Sequence, residues 1–526
     1  MAQVSILDCT LRDGGHVVKG KFGKNVIKAI ISNLVKAKVD IIEIGFLWDI
    51  QTDNDTARFH TIAELKPYLP ESLGETKLSL MADNVDLSHL EPNDGTVDII
   101  RLSFRKTEFE WAETTAKMLK EKGYKVYINP IHGSSFTDEE YIQIIRRVND
   151  LSPYGFSIVD TFGALRQSDL GRIYYIIEHN LEKNIVLGLH LHENLGLSYS
   201  LAQYMLNIVS PTRPITIDGS LYGMGKIPGN LCIEQIMDYL NNDYGKSYST
   251  EPVYDAIDDY IMPIYEKQRW GYSVPYALSA QCGVHRTYAE YLIDKERLHT
   301  KDIRRLLKLI SNEHSEIFDE QYIEKIYKNY MLKDFNDESS LEQLKSKIQN
   351  YEKVIIIAPG SSIRTLVLSP KQCKNACVIS VNFKYEKVEP DYLFFSNTKR
   401  LSYADKTALK NVIITSNLLE EFTEPSFVVS RNNLSYHDDM YSDDSTLMLL
   451  NLLKKCGVRK IDIAGFDGFK KDTSNFYEIG LERKVREDDY DFAPRVSILK
   501  KAYGVLDIKF LTPSIYEDRM EKRIGK

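Results

Sequence analysis

The sequence lacks the features that mark several classes of protein. It contains six cysteines in 526 residues and no CxxC pair, so neither a disulfide framework nor a zinc ribbon is expected. No apolar run approaches the ~18 residues of a membrane span, and the first ten residues show no basic or apolar leader pattern. We therefore expect reduced, mostly buried thiols and a cytoplasmic protein.

The chain also has no excess of positive charge and no repeats. Its net charge of −8 disfavours binding to nucleic acid. With 43% hydrophobic residues, 27% charged residues and only 17 prolines, the composition is that of an ordinary globular protein. Because hydrophobic cores stop growing near ~250–300 residues, two or three domains are expected.

What the first half does contain is an alternation of short β-branched runs and helical stretches. Ile27, Ile30, Ile31 and Leu34 follow the first run at helical spacing, which predicts a crossover helix between parallel strands. The apolar runs occupy residues 4–8, 41–46, 77–81, 98–103, 125–129, 156–160, 185–192 and 215–218. Eight βα units within ~220 residues favour a closed (β/α)₈ TIM barrel over an open doubly wound sheet.

The pattern changes twice after the barrel. Residues 1–248 are predicted to form the barrel domain. Residues 249–345 show charged, tyrosine-rich helical periods without strand runs, which predicts a helical extension and linker. From residue 346 the βα rhythm restarts, so a smaller Rossmann-like α/β domain is predicted over 346–526.

Two histidines on one strand carry the first chemical signal. His190 and His192 stand two residues apart at the end of the seventh run, so both imidazoles project to the same face. In a barrel this end of the strands is the mouth, where catalytic groups gather. The pair is expected to bind a metal, although an HxH pattern alone more often marks two satisfied polar side chains.

The sequence TLRDG at 10–14, after the first run, is the second signal. Asp13 supplies a carboxylate at the same mouth, Gly14 and Gly15 permit a tight turn, and Arg12 supplies a fixed cation. One carboxylate and two imidazoles leave open coordination positions for a chelating substrate. A two-histidine, one-carboxylate iron oxygenase uses the same ligand types, but it is expected on an antiparallel β-fold.

These motifs resemble those of the DRE-TIM metallolyase superfamily, which includes 4-hydroxy-2-oxoacid aldolases, hydroxymethylglutaryl-CoA lyase and isopropylmalate synthase-like enzymes. The resemblance covers residues 1–290 and implies that Asp13, His190 and His192 are metal ligands. The family's glycine and asparagine element is similar to GMGKIPGN at 223–230, which implies that Asn230 is an additional or outer ligand. By resemblance the metal is Mn²⁺ or Mg²⁺, with Co²⁺ or Zn²⁺ as alternatives.

His16 separates two branches of the superfamily. Acyl-CoA lyases and synthases carry glutamine two residues after the RDG glycine, whereas the aldolases carry histidine, as this chain does. The resemblance thus implies an aldolase that cleaves or forms the C3–C4 bond of a 4-hydroxy-2-oxoacid. Its small-molecule partners are a 2-oxoacid and an aldehyde, which includes sugar-derived aldehydes. A Claisen-type acyl-CoA lyase or synthase on the same barrel is the alternative.

The aldolase reaction assigns roles to further residues. Arg12 is expected to stabilise the enolate oxygen and His16 to take the proton of the C4 hydroxyl. GYSVPYALS at 271–279 is similar to the family's tyrosine segment, which implies that Tyr276 is an acid or base. Residues at strand ends are expected to bind or orient substrate: Glu43, Asn129, His132 and Asp160. Buried salt bridges explain Glu43 and Asp160 equally well. A homo-oligomer is expected.

The C-terminal domain carries weaker signals. VIIIAPGSS at 354–362 leads a strand into a Gly/Ser turn whose backbone N–H groups can bind phosphate, but it is neither GxGxxG nor a Walker A loop. Together with IDIAGFD at 461–467 it is similar to Rossmann-like domains of bacterial sialyltransferases and pterin pyrophosphokinase-like proteins. The similarity implies a nucleotide or sugar-nucleotide site at Gly360, Ser361 and Asp467.

Two other interpretations of this region stay open. The domain can be a glycosyl- or phosphoryl-transferase that makes the enzyme bifunctional, or a purely structural module. The acidic stretch HDDMYSDD at 437–444 can be a cation site, but charge runs are more often solvated loops.

Overall fold

The computed structural model describes residues 3–50, 53, 55–226, 228–436, 444–471, 473–482, 485 and 490–521. The chain divides into two compact units. The first runs to Ala289 and includes Ser311–Phe318; the second comprises Glu290–Ile310 and the chain from Asp319 onward. The helical segment that the sequence sets apart at 249–345 is thus shared between the two units. The acidic stretch at 437–444 lies outside the described residues, except for Asp444.

The first unit is built on a closed parallel barrel. Its strands are β1 (Val4–Asp8), β2 (Ile41–Leu47), β4 (Lys77–Asp83), β5 (Ile99–Phe104), β6 (Lys125–Pro130), β7 (Gly155–Asp160), β8 (Val186–Leu191) and β9 (Ile215–Gly219), with the short β3 (Arg58–Phe59) beside β2. The strand order is β1-β9-β8-β7-β6-β5-β4-β2, and pairing of β1 with β2 closes the ring. The predicted eight-stranded barrel is confirmed.

Helices follow most of the strands. Those of the barrel are α1 (Lys24–Lys36), α2 (Phe109–Glu121), α3 (Asp138–Leu151), α4 (Gln167–Asn180), α5 (Ser198–Ile208) and α6 (Ile233–Tyr244). The apolar positions of α1 are buried, as their spacing predicts. Helix α3 begins with a capping box in which Thr137 accepts a hydrogen bond from the Glu140 N–H and Glu140 accepts one from the Thr137 N–H. After the barrel come α7 (Glu251–Ala256), α8 (Met262–Lys267), α9 (Val274–Gln281) and α10 (Thr287–Asp294).

The second unit contains a separate parallel sheet, as the sequence predicts. Its strands are β10 (Lys353–Ile357), β11 (Ala376–Val381), β12 (Tyr392–Phe395), β13 (Val412–Thr415), β14 (Phe427–Val429), β15 (Lys460–Ala464) and β16 (Asp507–Phe510), in the order β14-β13-β12-β11-β10-β15-β16. The helices are α11 (Thr300–Leu307), α12 (Glu320–Met331), α13 (Glu338–Ile348), α14 (Pro370–Cys373), α15 (Thr398–Tyr403), α16 (Arg431–Leu434), α17 (Ser445–Lys455), α18 (Ala493–Tyr503) and α19 (Ile515–Glu521). The chain leaves β10 toward β14 and returns on its other side at β15.

Two further observations concern thiols and membranes. The six cysteines are free thiols, and Cys9, Cys377 and Cys456 are buried. Within the described ranges, no helix has both the length and the apolar composition to cross a membrane.

Candidate metal centre

The structure brings Asp13, His190 and His192 together at the mouth of the barrel. One ligand atom from each lies within 4.8 Å of the others, which is the geometry of a three-residue metal site. His190 Nε2 lies 3.7 Å from one Asp13 oxygen and His192 Nε2 lies 3.9 Å from the other. His190 lies in β8 and His192 comes directly after this strand, so the two imidazoles, as alternate residues, share a face. Asp13 lies in the segment that follows β1, at the same end of the barrel.

Hydrogen bonds on the far side of each ring fix its orientation. His190 Nδ1 lies 3.1 Å from Asp218 Oδ2, and His192 Nδ1 lies 2.9 Å from the carbonyl oxygen of Asp160. Because both partners are acceptors, each Nδ1 donates a hydrogen bond, and each Nε2 is the nitrogen directed toward Asp13 and available to a metal ion. This arrangement of an acceptor behind a ligating imidazole is typical of metal sites.

Asn230 lies beside the three candidate ligands. Its amide nitrogen donates to Asp13 Oδ1 at 3.2 Å and to the Met224 carbonyl at 3.1 Å. Its amide oxygen is buried and has no hydrogen-bond partner among the described residues. A buried acceptor without a donor is costly, and a cation beside it removes that cost. Two imidazole nitrogens, a carboxylate and an amide oxygen therefore fit a divalent metal ion.

Gly225 stands directly behind these ligands. A Cβ at this position would lie 2.3 Å from Asn230 Nδ2 and 3.0 Å from Asp13 Oδ1. The loop GMGKIPGN therefore needs glycine here so that its backbone can approach both side chains.

We expect Gly225→Ala to displace Asn230 and Asp13 and to weaken metal binding by at least tenfold, as loss of supporting contacts does at other metal sites. Metal titration followed by calorimetry measures this change. Gly504→Ala, where a Cβ would lie 3.6 Å from the carbonyl oxygen of Lys501, is the matched control and should bind metal as the parent does. Equal affinity of the two variants would contradict the packing argument.

Arg12 is held rigidly beside the ligands. Its Nε donates to Glu43 at 2.6 Å, and its Nη1 pairs with Asp13. Glu43 is fully buried and also accepts from Arg101 at 3.3 Å, and Arg101 in turn donates to Asp218 at 2.6 Å. This chain of alternating charges lies inside the barrel and links the cation at the mouth to the carboxylate behind His190.

The charge chain sets the protonation of the site. Burial acts to raise the pKa of the Asp13 carboxyl, but Arg12 and the two histidines hold it well below its usual range. Burial likewise opposes ionisation of Asp218, and Arg101 outweighs it and lowers that pKa. Both groups are thus carboxylates at neutral pH, as a cation site requires.

His16 and Tyr276 occupy different positions relative to the cavity. The His16 ring lies on the cavity wall, open to it, 5.7 Å from the Phe46 ring. Partial desolvation by the surrounding protein atoms lowers the pKa of this ring to about 4, so the imidazole is neutral at neutral pH. Tyr276 is half-buried on α9 and is not among the residues that line the cavity.

The cavity in front of the ligands has a volume of about 1030 Å³, including space open to solvent. Asn129 and His132 line it, as predicted from the end of the fifth run. Asn129 accepts from Arg101 at 3.2 Å, and the His132 ring stacks on Phe162 with centroids 4.8 Å apart. Both side chains are thus fixed in place.

Glu43 and Asp160 lie behind the wall. Glu43 holds Arg12, whereas the Asp160 side chain accepts hydrogen bonds from the backbone of Ala164 and Leu165. Burial raises the pKa of Asp160 to about 7. The two carboxyls are therefore placed to support neighbours rather than to touch a substrate.

The sequence analysis missed several residues of this site. Arg101 and Asp218 each stand within an apolar strand run. A single charged residue in such a run can be assigned to an ion pair inside the barrel only once the pairing of the strands is known. Lys226, inside the GMGKIPGN segment, and His285 and Glu316, in loops that no motif marks, also line the cavity. Burial together with the charges of Lys226 and a neighbouring arginine lowers the pKa of His285 to about 3.

In the second unit, Gly360 and Asp467 line one cavity. Asp467 accepts from the Ser362 N–H at 2.8 Å and from the Ser362 hydroxyl at 2.5 Å. Ser361 begins the short turn after Gly360 and is not on the cavity wall.

Comparison with known families identifies the barrel domain. The family model described as HMGL-like matches residues 3–248. Residues 3–248 belong to the HMGL-like family. The match contains Asp13, His190, His192 and Asn230, so the whole candidate donor set lies inside the HMGL-like domain.

Similar proteins catalyse several reactions. A 4-hydroxy-2-oxovalerate aldolase from Geobacillus genomosp. 3 is 24% identical over 45% of this chain and 70% of that protein. A 2-isopropylmalate synthase from Caldanaerobacter subterraneus subsp. tengcongensis is 23% identical over 45% of this chain and 62% of that protein. Among solved structures, the N-terminal domain of a protein named as an aldolase from Bacteroides vulgatus is 22% identical, covers 55% of this chain and 96% of that domain, and gives a TM-score of 0.47. The predicted carbon–carbon lyase is confirmed at the level of the family.

The acceptor behind His190 can be tested separately from the ligands. We expect Asp218→Asn to lower metal affinity by roughly 10- to 100-fold, because His190 loses the carboxylate that orients its ring. Arg101 keeps a partner in Glu43. Calorimetric metal titration of the folded variant measures the effect, and Asp138→Asn on the exposed start of α3 is the control. An unchanged affinity would show that Asp218 serves only to pair Arg101.

Proposed function

We propose that this protein is a divalent-metal-dependent aldolase that cleaves or forms the C3–C4 bond of a 4-hydroxy-2-oxoacid. The observation that carries the proposal is the group of Asp13, His190 and His192 on the wall of a cavity that Arg12 and His16 also line, with the amide oxygen of Asn230 buried nearby and unpartnered among the described residues. The family resemblance favours Mn²⁺ or Mg²⁺, whereas the two imidazoles of the site favour Mn²⁺, Co²⁺ or Zn²⁺ on affinity grounds.

Cleavage of the bond leaves an electron pair on the 2-oxoacid fragment. A divalent ion held by Asp13, His190 and His192 would supply a Lewis acid that stabilises this charge. Arg12 adds a fixed positive charge beside the same position, because Glu43 and Asp13 hold its guanidinium in one orientation.

A proton must also leave the C4 hydroxyl. His16 is neutral, lies on the cavity wall and has room to accept that proton. Tyr276, proposed from the family as a proton donor, would have to move from its position on α9 to reach a substrate in this cavity.

A panel of 4-hydroxy-2-oxoacids incubated with the metal-loaded protein tests the proposal. We expect release of pyruvate or a close 2-oxoacid from at least one of them, and full loss of release after removal of metal by a chelator. Turnover that continues without metal would overturn it.

A Claisen-type acyl-CoA lyase or synthase is the second candidate, because the relatives include a 2-isopropylmalate synthase. Release of thiol from an acyl-CoA, with no release of 2-oxoacid from any hydroxy-oxoacid, would favour this second function. The histidine at position 16 supports the aldolase instead, since by resemblance the acyl-CoA enzymes carry glutamine at this position.

A further inference from the structure

A second cavity lies in the second unit, at the carboxyl ends of its central strands. Its walls include Ala358–Gly360 after β10, Asn382 after β11, Asn397 after β12 and Gly465–Phe469 after β15. The volume is about 870 Å³, including space open to solvent, which is in the size range of small-molecule sites. The chain order reverses here, between β10 and β15, and open parallel sheets bind ligands in the crevice at such a reversal.

The floor of this cavity is a buried polar network rather than an apolar core. Asn382 donates to the Ser445 hydroxyl at 2.7 Å, and that hydroxyl lies 2.6 Å from the hydroxyl of Ser396. Asn382 adopts a left-handed backbone conformation with φ of +62°, which turns the chain sharply at the end of β11. Buried polar groups and an unusual backbone conformation both cost stability, and such features concentrate at binding sites.

One wall presents a fixed carboxylate. Asp467 is held by the two hydrogen bonds from Ser362, and the Ser362 hydroxyl lies 2.8 Å from that of Thr512. The loops after β10 and β15 touch closely at Gly360, where a Cβ would lie 2.3 Å from the Gly465 carbonyl oxygen. Each carboxylate oxygen can accept more than one hydrogen bond, so Asp467 can still receive donors such as sugar hydroxyls.

The cavity lining also includes two arginines. The Arg400 guanidinium lies 5.0 Å from the centre of the Phe476 ring, and that of Arg495 lies 5.9 Å from the centre of Phe469. Stacking on aromatic faces holds such planar groups in place, and the planar fork suits a phosphate. Ser445 and Thr446, in the first turn of α17, also line the cavity, together with Asp444, whose carboxylate accepts from the Thr446 and Leu447 N–H groups and lies 3.4 Å from Arg495 Nε.

We propose that this cavity binds a phosphorylated sugar, either free or as part of a nucleotide, with hydroxyls at Asp467 and phosphate at Arg400 and Arg495. A carboxylate that can accept hydrogen bonds from hydroxyls, and two guanidinium groups that can bind phosphate, match a molecule that carries both groups. The site is separate from the metal centre of the first unit and does not depend on the aldolase proposal.

Calorimetric titration of the full chain tests the site with UDP, ADP, CMP, ribose 5-phosphate and uridine as probes. We expect one phosphorylated probe or more to bind with one-to-one stoichiometry, and uridine to bind at least tenfold more weakly than UDP if UDP binds. Binding of nucleotides alone identifies a nucleotide site, and binding of ribose 5-phosphate as well identifies a sugar-phosphate site. Absence of binding by all four phosphorylated probes at millimolar concentration would overturn the proposal.

Variants then locate the binding. Arg400→Gln and Arg495→Gln should each weaken the best probe by tenfold or more, whereas Arg459→Gln should not, because Arg459 is exposed next to the opposite end of β15. Thermal unfolding checks that each variant is folded, and Asp467→Asn gives an independent test at the carboxylate. The metal-ligand variant Asp13→Asn should bind the probe as the parent does. Undiminished binding by both arginine variants and by Asp467→Asn would place the ligand elsewhere.

Discussion

Replacing Asp13 with asparagine should reduce 2-oxoacid release by at least ~10³-fold, because several kcal/mol of charge stabilisation depend on the bound metal and ~1.4 kcal/mol corresponds to a factor of ten. The substitution removes the only carboxylate among the four candidate donors in the described site. Metal affinity, measured by calorimetry, should fall together with the rate of release.

Asp138→Asn, at the exposed start of α3, is the matched control and should leave both quantities unchanged. Since Asp13 also pairs with Arg12 and Asn230, thermal unfolding of the variant must show a folded barrel before the rate is interpreted. A folded variant that keeps normal activity in the presence of chelator would refute a metal site at Asp13.

Replacing Arg12 with lysine should lower kcat by roughly 10²- to 10³-fold with a much smaller change in metal affinity, if Arg12 acts as an oxyanion donor does. The guanidinium contacts Glu43 through Nε and Asp13 through Nη1 at once, and a single ammonium group cannot keep both contacts in the same geometry. Steady-state kinetics with saturating metal separates kcat from KM.

A loss confined to metal affinity would instead mean that Arg12 only positions Asp13. Arg172→Lys on α4 conserves charge at an exposed ion pair with Asp138 and should change neither kcat nor KM. Unfolding measurements again serve as the check, because Glu43 is buried and would lose one of its two partners in the Arg12 variant.

The barrel could be predicted because each of its strands is a short apolar run, and local periodicity encodes such runs. The three ligands could also be predicted, since Asp13 follows the first run and His190 and His192 end the seventh, and parallel strands bring their carboxyl ends to one mouth. These inferences need only sequence spacing and the topology of parallel strands.

The rest of the site depends on contacts that spacing does not encode. Arg101 joins Glu43 to Asp218 across residues far apart in the chain, and no local pattern distinguishes it from an arginine on the surface. The motif that suggested Tyr276 identifies a helix but not the direction in which its side chains point. Likewise, the boundary between the two units cannot be read from composition, because Ser311–Phe318 groups with the barrel although the neighbouring segments group with the second unit.

The return of Ser311–Phe318 to the first unit affects how the protein can be dissected. Glu316, Ile317 and Phe318 form part of the cavity wall in front of the metal ligands, and the Glu316 carboxylate accepts from Ser135 at 3.0 Å. A fragment that stops after Ala289 would retain all four candidate metal donors and yet have an open pocket. Its substrate preference would then differ from that of the intact protein, so truncation mutants would report metal binding faithfully and substrate selectivity falsely.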